Sequence, residues 1–118
     1  MCSKAQCDSL VAWLNDPNAF GSAFAVPSIS KQDATYGSDM WRGPVWLNYN
    51  YMLIEGLKQY GERELAEKLL ENTLAVVNEW YLKTGTVYEF YDPENKKAPP
   101  LLNRKGLPFE PYDFTVRY

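Results

Sequence analysis

At 118 residues the chain is long enough for one domain or part of one, and its 46% hydrophobic and 15% aromatic content is ample for a packed core. A net charge of −3 without a basic run argues against a nucleic-acid partner, and no apolar run approaches the roughly 20 residues that cross a bilayer. The absence of histidine removes the usual zinc ligand sets. Cys2 and Cys7 are so close in sequence that a bridge between them would barely constrain the chain. Free thiols in a cytoplasmic setting are the simplest reading, and the opening residues carry no signal-peptide pattern.

Ser3 to Leu14 reads as a short helix. Ser3 and Gln6 have the spacing of a capping box, Leu10, Val11 and Leu14 supply an apolar stripe, and Asn15-Asp16-Pro17 ends it. Residues 17–43 then form a long connection punctuated by Gly21, Pro27, Gly37 and Gly43, and connections of this length inside a compact domain are usually functional. The dense stretch Met40-Trp41-Arg42-Gly43-Pro44-Val45-Trp46-Leu47-Asn48-Tyr49-Asn50-Tyr51 closes it. Pro44 suits a first helical position, because its φ is preset and its missing N–H is no loss there. A helix from Pro44 to Tyr60 follows, with Trp46, Tyr49, Leu53, Leu57 and Tyr60 at spacings of three and four and Gly61 as its stop. Its apolar and aromatic residues surround much of the circumference, so it asks for cover on most sides and predicts self-association near Trp46, Leu53 and Leu57.

Glu62 to Tyr81 is a more ordinary amphipathic helix. Leu65, Leu69, Leu70, Thr73, Leu74, Val76, Val77 and Trp80 form its apolar side, and Gly61 folds it back antiparallel on its predecessor. Thr86 to Tyr91 alternates aromatic and β-branched residues and reads as extended chain or a short strand, closed by an Asp92-Pro93 turn. From Lys96 to Tyr118 four prolines and the lack of a sustained period predict irregular structure.

Two groups of residues could carry chemistry. Trp41, Arg42 and the asparagines combine a flat apolar face with donors and acceptors, a common way to grip a sugar, although the same rings could simply fill core between helices. Glu89 stands among Tyr88, Phe90 and Tyr91, the kind of apolar neighbourhood in which catalytic carboxyls are tuned; it could equally alternate outward from an edge strand. Asn48 and Asn50 could orient loops or sugar hydroxyls, or serve as internal packing groups.

The stretches MWRGPVWLNYNYMLIEGLKQYG and, one helix later, TGTVYEFYDPE stand in an order that resembles the C-terminal part of the catalytic domain of glycoside hydrolase family 63, from about Leu10 to Asp92. That family includes the mannosylglycerate and glucosylglycerate hydrolases, with the trehalases more distantly related. The resemblance implies an all-α fold of antiparallel helix hairpins forming a partial segment of an (α/α)6 toroid with long irregular loops. Residues 1–118 would be a C-terminal fragment, with the upstream helices and the final helix outside it. It further implies an exo-acting, inverting hydrolase of α-glucosides or α-mannosides. Glu89 would be the general base, Trp41, Arg42, Trp46, Asn48 and Tyr91 would contact substrate, and no metal or other cofactor would take part. The family's general acid is an aspartate far upstream of the WRGPVW motif. No residue here matches it, since Asp33 and Asp39 belong to the loop pattern. A piece without activity of its own is therefore expected. A reading from another class is a helical carbohydrate-binding or protein-interaction module without hydrolysis.

Overall fold

The computed structural model describes residues 2–104 and 107–108. Helix α1 spans Lys4–Asn15, strand β1 Val45–Trp46, helix α2 Leu47–Gln59, helix α3 Arg63–Thr84 and strand β2 Phe90–Tyr91. A 3-10 turn at Pro99–Leu101 and the short pair β3 (Asn103–Arg104) and β4 (Leu107–Pro108) follow. The expected all-α scaffold, with long irregular loops, is what these residues adopt. The hairpin strands add order to a tail expected to be irregular. The rest of that tail, through Tyr118, lies outside the described residues.

The first helix begins where its cap residues dictate. Ser3 Oγ accepts from the Gln6 N–H at 3.3 Å, and Gln6 Oε1 accepts from the Ser3 N–H at 2.8 Å, so two otherwise orphaned donors are satisfied reciprocally. Helices α2 and α3 form the expected hairpin through Tyr60, Gly61 and Glu62, with Gly61 at φ 84° and Glu62 N–H returning to Leu57 O at 2.9 Å. At its far end α3 stops on Gly85, whose left-handed φ of 70° lets its N–H reach Tyr81 O at 2.7 Å.

The apolar side of α3 is narrower than its composition suggests. Ala66, Leu69, Thr73 and Val76 are buried, whereas Leu70 and Leu74 are exposed. Ile54 and Leu57 of α2 pack on Ala66 and Leu69, with Val11 and Leu14 of α1 closing the cluster. Thr73 sits in this stripe without penalty because its hydroxyl donates to Leu69 O at 2.6 Å.

Within the chain α2 is covered on one side only, as an apolar helix asking for further cover would be. Asn50, Ile54 and Leu57 are buried against the rest of the chain, but Tyr49, Tyr51 and Met52 face outward. Trp46 and Leu57, expected near a contact with another copy, are instead buried inside the chain at 4% and 7% exposure. Leu10 and Trp13 of α1 and Met52 of α2 leave apolar surface lining a groove of about 1060 Å³ between α1 and α2. No helix among the described residues is long and apolar enough to cross a membrane.

Two consequences can be measured. Ile54→Ala should destabilise the chain by about 2–5 kcal/mol, read from denaturant midpoints, because the cavity opens between helices that cannot collapse independently. Glu79 accepts hydrogen bonds from Lys83 Nζ and from Asn95 Nδ2, the latter at 2.7 Å, and these hold its carboxyl below the ordinary value of 4.5. A carboxyl depressed in the folded state contributes stability that is complete above its ordinary value and is lost as pH falls through the folded one. Glu79→Gln should therefore flatten the acid limb of a stability–pH curve below about pH 4.5.

Candidate active site

The region that carries the two sequence motifs is built on four residues of paired strand. Val45 pairs with Tyr91 and Trp46 with Phe90 in antiparallel register, which joins the WRGPVW segment to the segment containing Glu89. Side chains alternate across the ladder, as strand geometry requires. Val45 and Tyr91 turn toward α3 and pack with Val76, Tyr88 and Ala25. Trp46 and Phe90 turn the other way, onto Met40 and Leu102.

Pro44 therefore does not open a helix. It precedes β1, and α2 begins only after Trp46, whose extended φ and ψ of −100° and 126° mark the helix boundary. The β-branched Val45 and the aromatic Trp46 favour extended chain once a partner strand is available, and helical spacing concealed that preference.

On the outer side of the ladder the indoles of Trp41 and Trp46 stack with centroids 3.6 Å apart and planes 2° from parallel, and Tyr49 meets Trp41 edge-on at 5.3 Å. Trp46 is buried and its Nε1 donates to Met40 O at 2.8 Å, so it is a fixed base plate. Trp41 remains 42% exposed and presents indole surface to solvent. Arg42, also exposed, is held by an ion pair with Asp39 in the same tight turn, where its N–H also reaches Asp39 O at 2.7 Å. Asn48 is exposed in the first turn of α2, with its Oδ1 taking the Tyr49 N–H at 2.9 Å.

Glu89 lies just before β2 and is half-buried. Its Oε2 is fully covered, yet it has no hydrogen-bond partner among the described residues. Tyr91 departs from the expected set. It is wholly buried, its hydroxyl accepts the Tyr88 N–H at 2.9 Å, and burial pushes its phenol above the ordinary value. In this position it is a core ring that supports the strand and leaves no surface for a ligand. Asp92 behaves as the turn former its Asp-Pro sequence suggested, accepting from the N–H groups of Glu94, Lys96 and Lys97 at 3.1, 3.1 and 2.8 Å.

The long connection is tied to this centre by residues that spacing alone left undecided. Ser28 Oγ accepts the Gly43 N–H at 3.1 Å, and Ser28 N–H donates to Pro44 O at 3.2 Å. Asn50 is 1% exposed and holds the backbone of Val26. Lys31 bridges Gly21 O and Glu94 Oε1, both at 2.6 Å, so the connection also grips the Asp92 turn. Long-range pairs of this kind leave no periodic trace in a sequence. Among the described residues no cluster of three metal-ligating side chains occurs.

The Trp41–Trp46 stack and the sheltered Glu89 oxygen are thus carried on two paired segments of one helical scaffold. The family model for the mannosylglycerate hydrolase MGH1-like glycoside hydrolase domain matches residues 1–106, and the chain belongs to that family, within glycoside hydrolase family 63. It is 36% identical over 92 residues to mannosylglycerate hydrolase MGH1 of Selaginella moellendorffii, covering 77% of this chain and 17% of that protein. It is 32% identical over 106 residues to a mannosyl-oligosaccharide glucosidase of Saccharomyces cerevisiae, covering 77% and 13% respectively. Among solved structures, the GH63 mannosylglycerate hydrolase of Thermus thermophilus in complex with glucose matches with a TM-score of 0.63 at 29% identity, covering 76% of this chain and 20% of that one. The chain thus spans a small part of the length of the relatives it matches.

Gly43 is the most tightly confined glycine of the loop. Its φ is 131°, and a Cβ there would lie 1.9 Å from Gly37 O, in backbone fixed by the Gly37 N–H donating to Arg42 O at 2.7 Å. Gly43→Ala should cost about 3 kcal/mol or more of stability, from backbone strain and collision together. It should also raise the solvent exposure of Trp41, measured by iodide quenching of tryptophan fluorescence.

Proposed function

We propose that this chain supplies the general base and one wall of the sugar pocket of an inverting, exo-acting α-glycosidase that acts on α-glucosides or α-mannosides. The observation that carries the reading is the covered, unpartnered Oε2 of Glu89. A buried acceptor without a partner costs stability, and such atoms persist where a water or substrate completes them. Here the partner is the water that attacks the anomeric carbon. Glu89 takes its proton, while a carboxylic acid from another segment of the complete enzyme protonates the leaving oxygen. Inversion needs room for that water between the two carboxyls, a separation of roughly 6.5–9.5 Å against about 5–5.5 Å in retaining enzymes.

Trp41 offers the exposed indole face for the apolar side of a pyranose, Trp46 holds that indole in place, and Arg42 and Asn48 stand at its border as hydroxyl partners. The mannosylglycerate hydrolases among the relatives favour a mannosyl or glucosyl unit carried on a small acidic aglycone. Further helices of an (α/α)6 ring would cover the apolar surface on α1 and the outward residues of α2. A carbohydrate-binding module without hydrolysis accounts for the Trp41 face, but it offers no use for the sheltered oxygen of Glu89.

The chain by itself should not turn over aryl α-glucosides or α-mannosides above background, because one carboxyl of an obligatory pair is supplied from elsewhere. In a complete enzyme containing this segment, Glu89→Gln should lower turnover by about 10²–10⁴-fold with little change in melting temperature. Azide added to Glu89→Ala should restore cleavage and yield a β-glycosyl azide from an α-linked substrate. Wild-type turnover with lost stability in Glu89→Gln would make Glu89 a structural residue and overturn the assignment.

A further inference from the structure

We infer that Asn50 is a positioning residue that sets the orientation of the Trp41–Trp46 stack, and through it the sugar affinity of the pocket. The proposal rests on the reading of that stack as a sugar platform. Asn50 lies in the first turns of α2, nearly without solvent exposure. Its carboxamide pairs with the peptide groups of Val26 as a neighbouring strand would. Oδ1 accepts the Val26 N–H at 2.9 Å and Nδ2 donates to Val26 O at 3.0 Å. The same Nδ2 also reaches Trp46 O at 3.1 Å, so one amide joins the long connection to the residue that carries the base plate.

The arrangement uses nearly the whole hydrogen-bonding capacity of a carboxamide. Two residues further along the connection, Ser28 binds Gly43 N–H and Pro44 O at 3.1 and 3.2 Å. Residues 26–28 therefore grip the platform segment at both ends, with Asn50 at the Trp46 end and Ser28 at the Gly43 end. Trp41 has no hydrogen bond that would orient its indole independently among those the described residues make. Its indole is held by ring contacts, stacked 2° from parallel on Trp46 and met edge-on by Tyr49, the residue before Asn50 in α2. A carboxamide that fixes the Trp46 backbone consequently fixes the face offered to the ligand. An apolar residue of similar size would fill the space but would leave the Val26 peptide groups buried and unpaired.

The test labels the 118-residue chain with 5-fluorotryptophan and assigns the 19F resonances of its four tryptophans by single Trp→Phe substitutions. Asn50→Asp keeps the acceptor for Val26 N–H and removes both donations; Asn50→Ser is the uncharged second variant should the first fail to fold. Thr73→Val, which removes a buried hydroxyl bond elsewhere in the core, is the control for general loss of stability. In folded Asn50 variants the Trp41 and Trp46 resonances should leave their stacked positions while helical circular dichroism is retained. In Thr73→Val they should stay. Titration with methyl α-D-mannopyranoside and methyl α-D-glucopyranoside, followed at Trp41, should show affinity weakened about tenfold or more in the Asn50 variants only. Unchanged Trp41 and Trp46 resonances in either folded Asn50 variant would overturn the positioning role, whatever the sugar titration gives. A wild-type chain silent to both sugars, with the stack nonetheless disturbed by Asn50→Ser, would remove the sugar reading and leave the orientation of the stack by Asn50 established.

Discussion

The site depends on the two-residue antiparallel pairing of Val45–Trp46 with Phe90–Tyr91. So short a ladder would be unstable alone. It holds because each face is packed: Val45 and Tyr91 against α3, and Trp46 and Phe90 against Met40 and Leu102. The alternation that divides these contacts between two cores also places the indole stack and the Glu89 segment on one local framework. Helices alone could not bring the two motifs into register, because the whole length of α3 lies between them in the chain.

The helices supply the rigidity this pairing needs. The α2–α3 hairpin is locked by Ile54, Leu57, Ala66 and Leu69, and α1 closes over it with Val11 and Leu14. The long connection is bound at separated points: Val26 by Asn50, Gly43 by Ser28, and Gly21 with Glu94 by Lys31. A loop so tied loses its conformational freedom on folding and not on ligand binding, which reduces the entropic cost of recognition. Within the WRGPVW loop the Trp41 indole and the Arg42 guanidinium remain exposed, and the carboxyl of Glu89 is partly sheltered.

The division between support and contact runs within single motifs. In WRGPVWLNYN, Trp46 and Asn50 are buried supports, whereas Trp41, Arg42 and Asn48 reach the surface. In YEFYDP, Tyr88, Phe90 and Tyr91 are core, Asp92 shapes the turn, and Glu89 alone presents a carboxyl whose sheltered oxygen lacks a partner.

What the sequence determined by itself were the local features whose causes lie within a few residues. The Ser3–Gln6 capping box, the Gly61 stop and the Asp92 turn all form where their residue types require, and the two long helices follow from their periodicity, although α3 runs on past Tyr81 to Gly85. The paired motifs also marked Trp41, Arg42 and Glu89 as residues to examine. Tertiary structure decided everything that needed a distant partner. Val45 and Trp46 became strand instead of the first turn of a helix because Phe90 and Tyr91 were there to pair with them. Tyr91 became core because α3 covers its side of the ladder, and Asn50 became a clamp because Val26 folds back onto it. Helical spacing records which residues share a face, but it carries no information about which face a remote segment will cover, and that is settled only when the chain closes on itself.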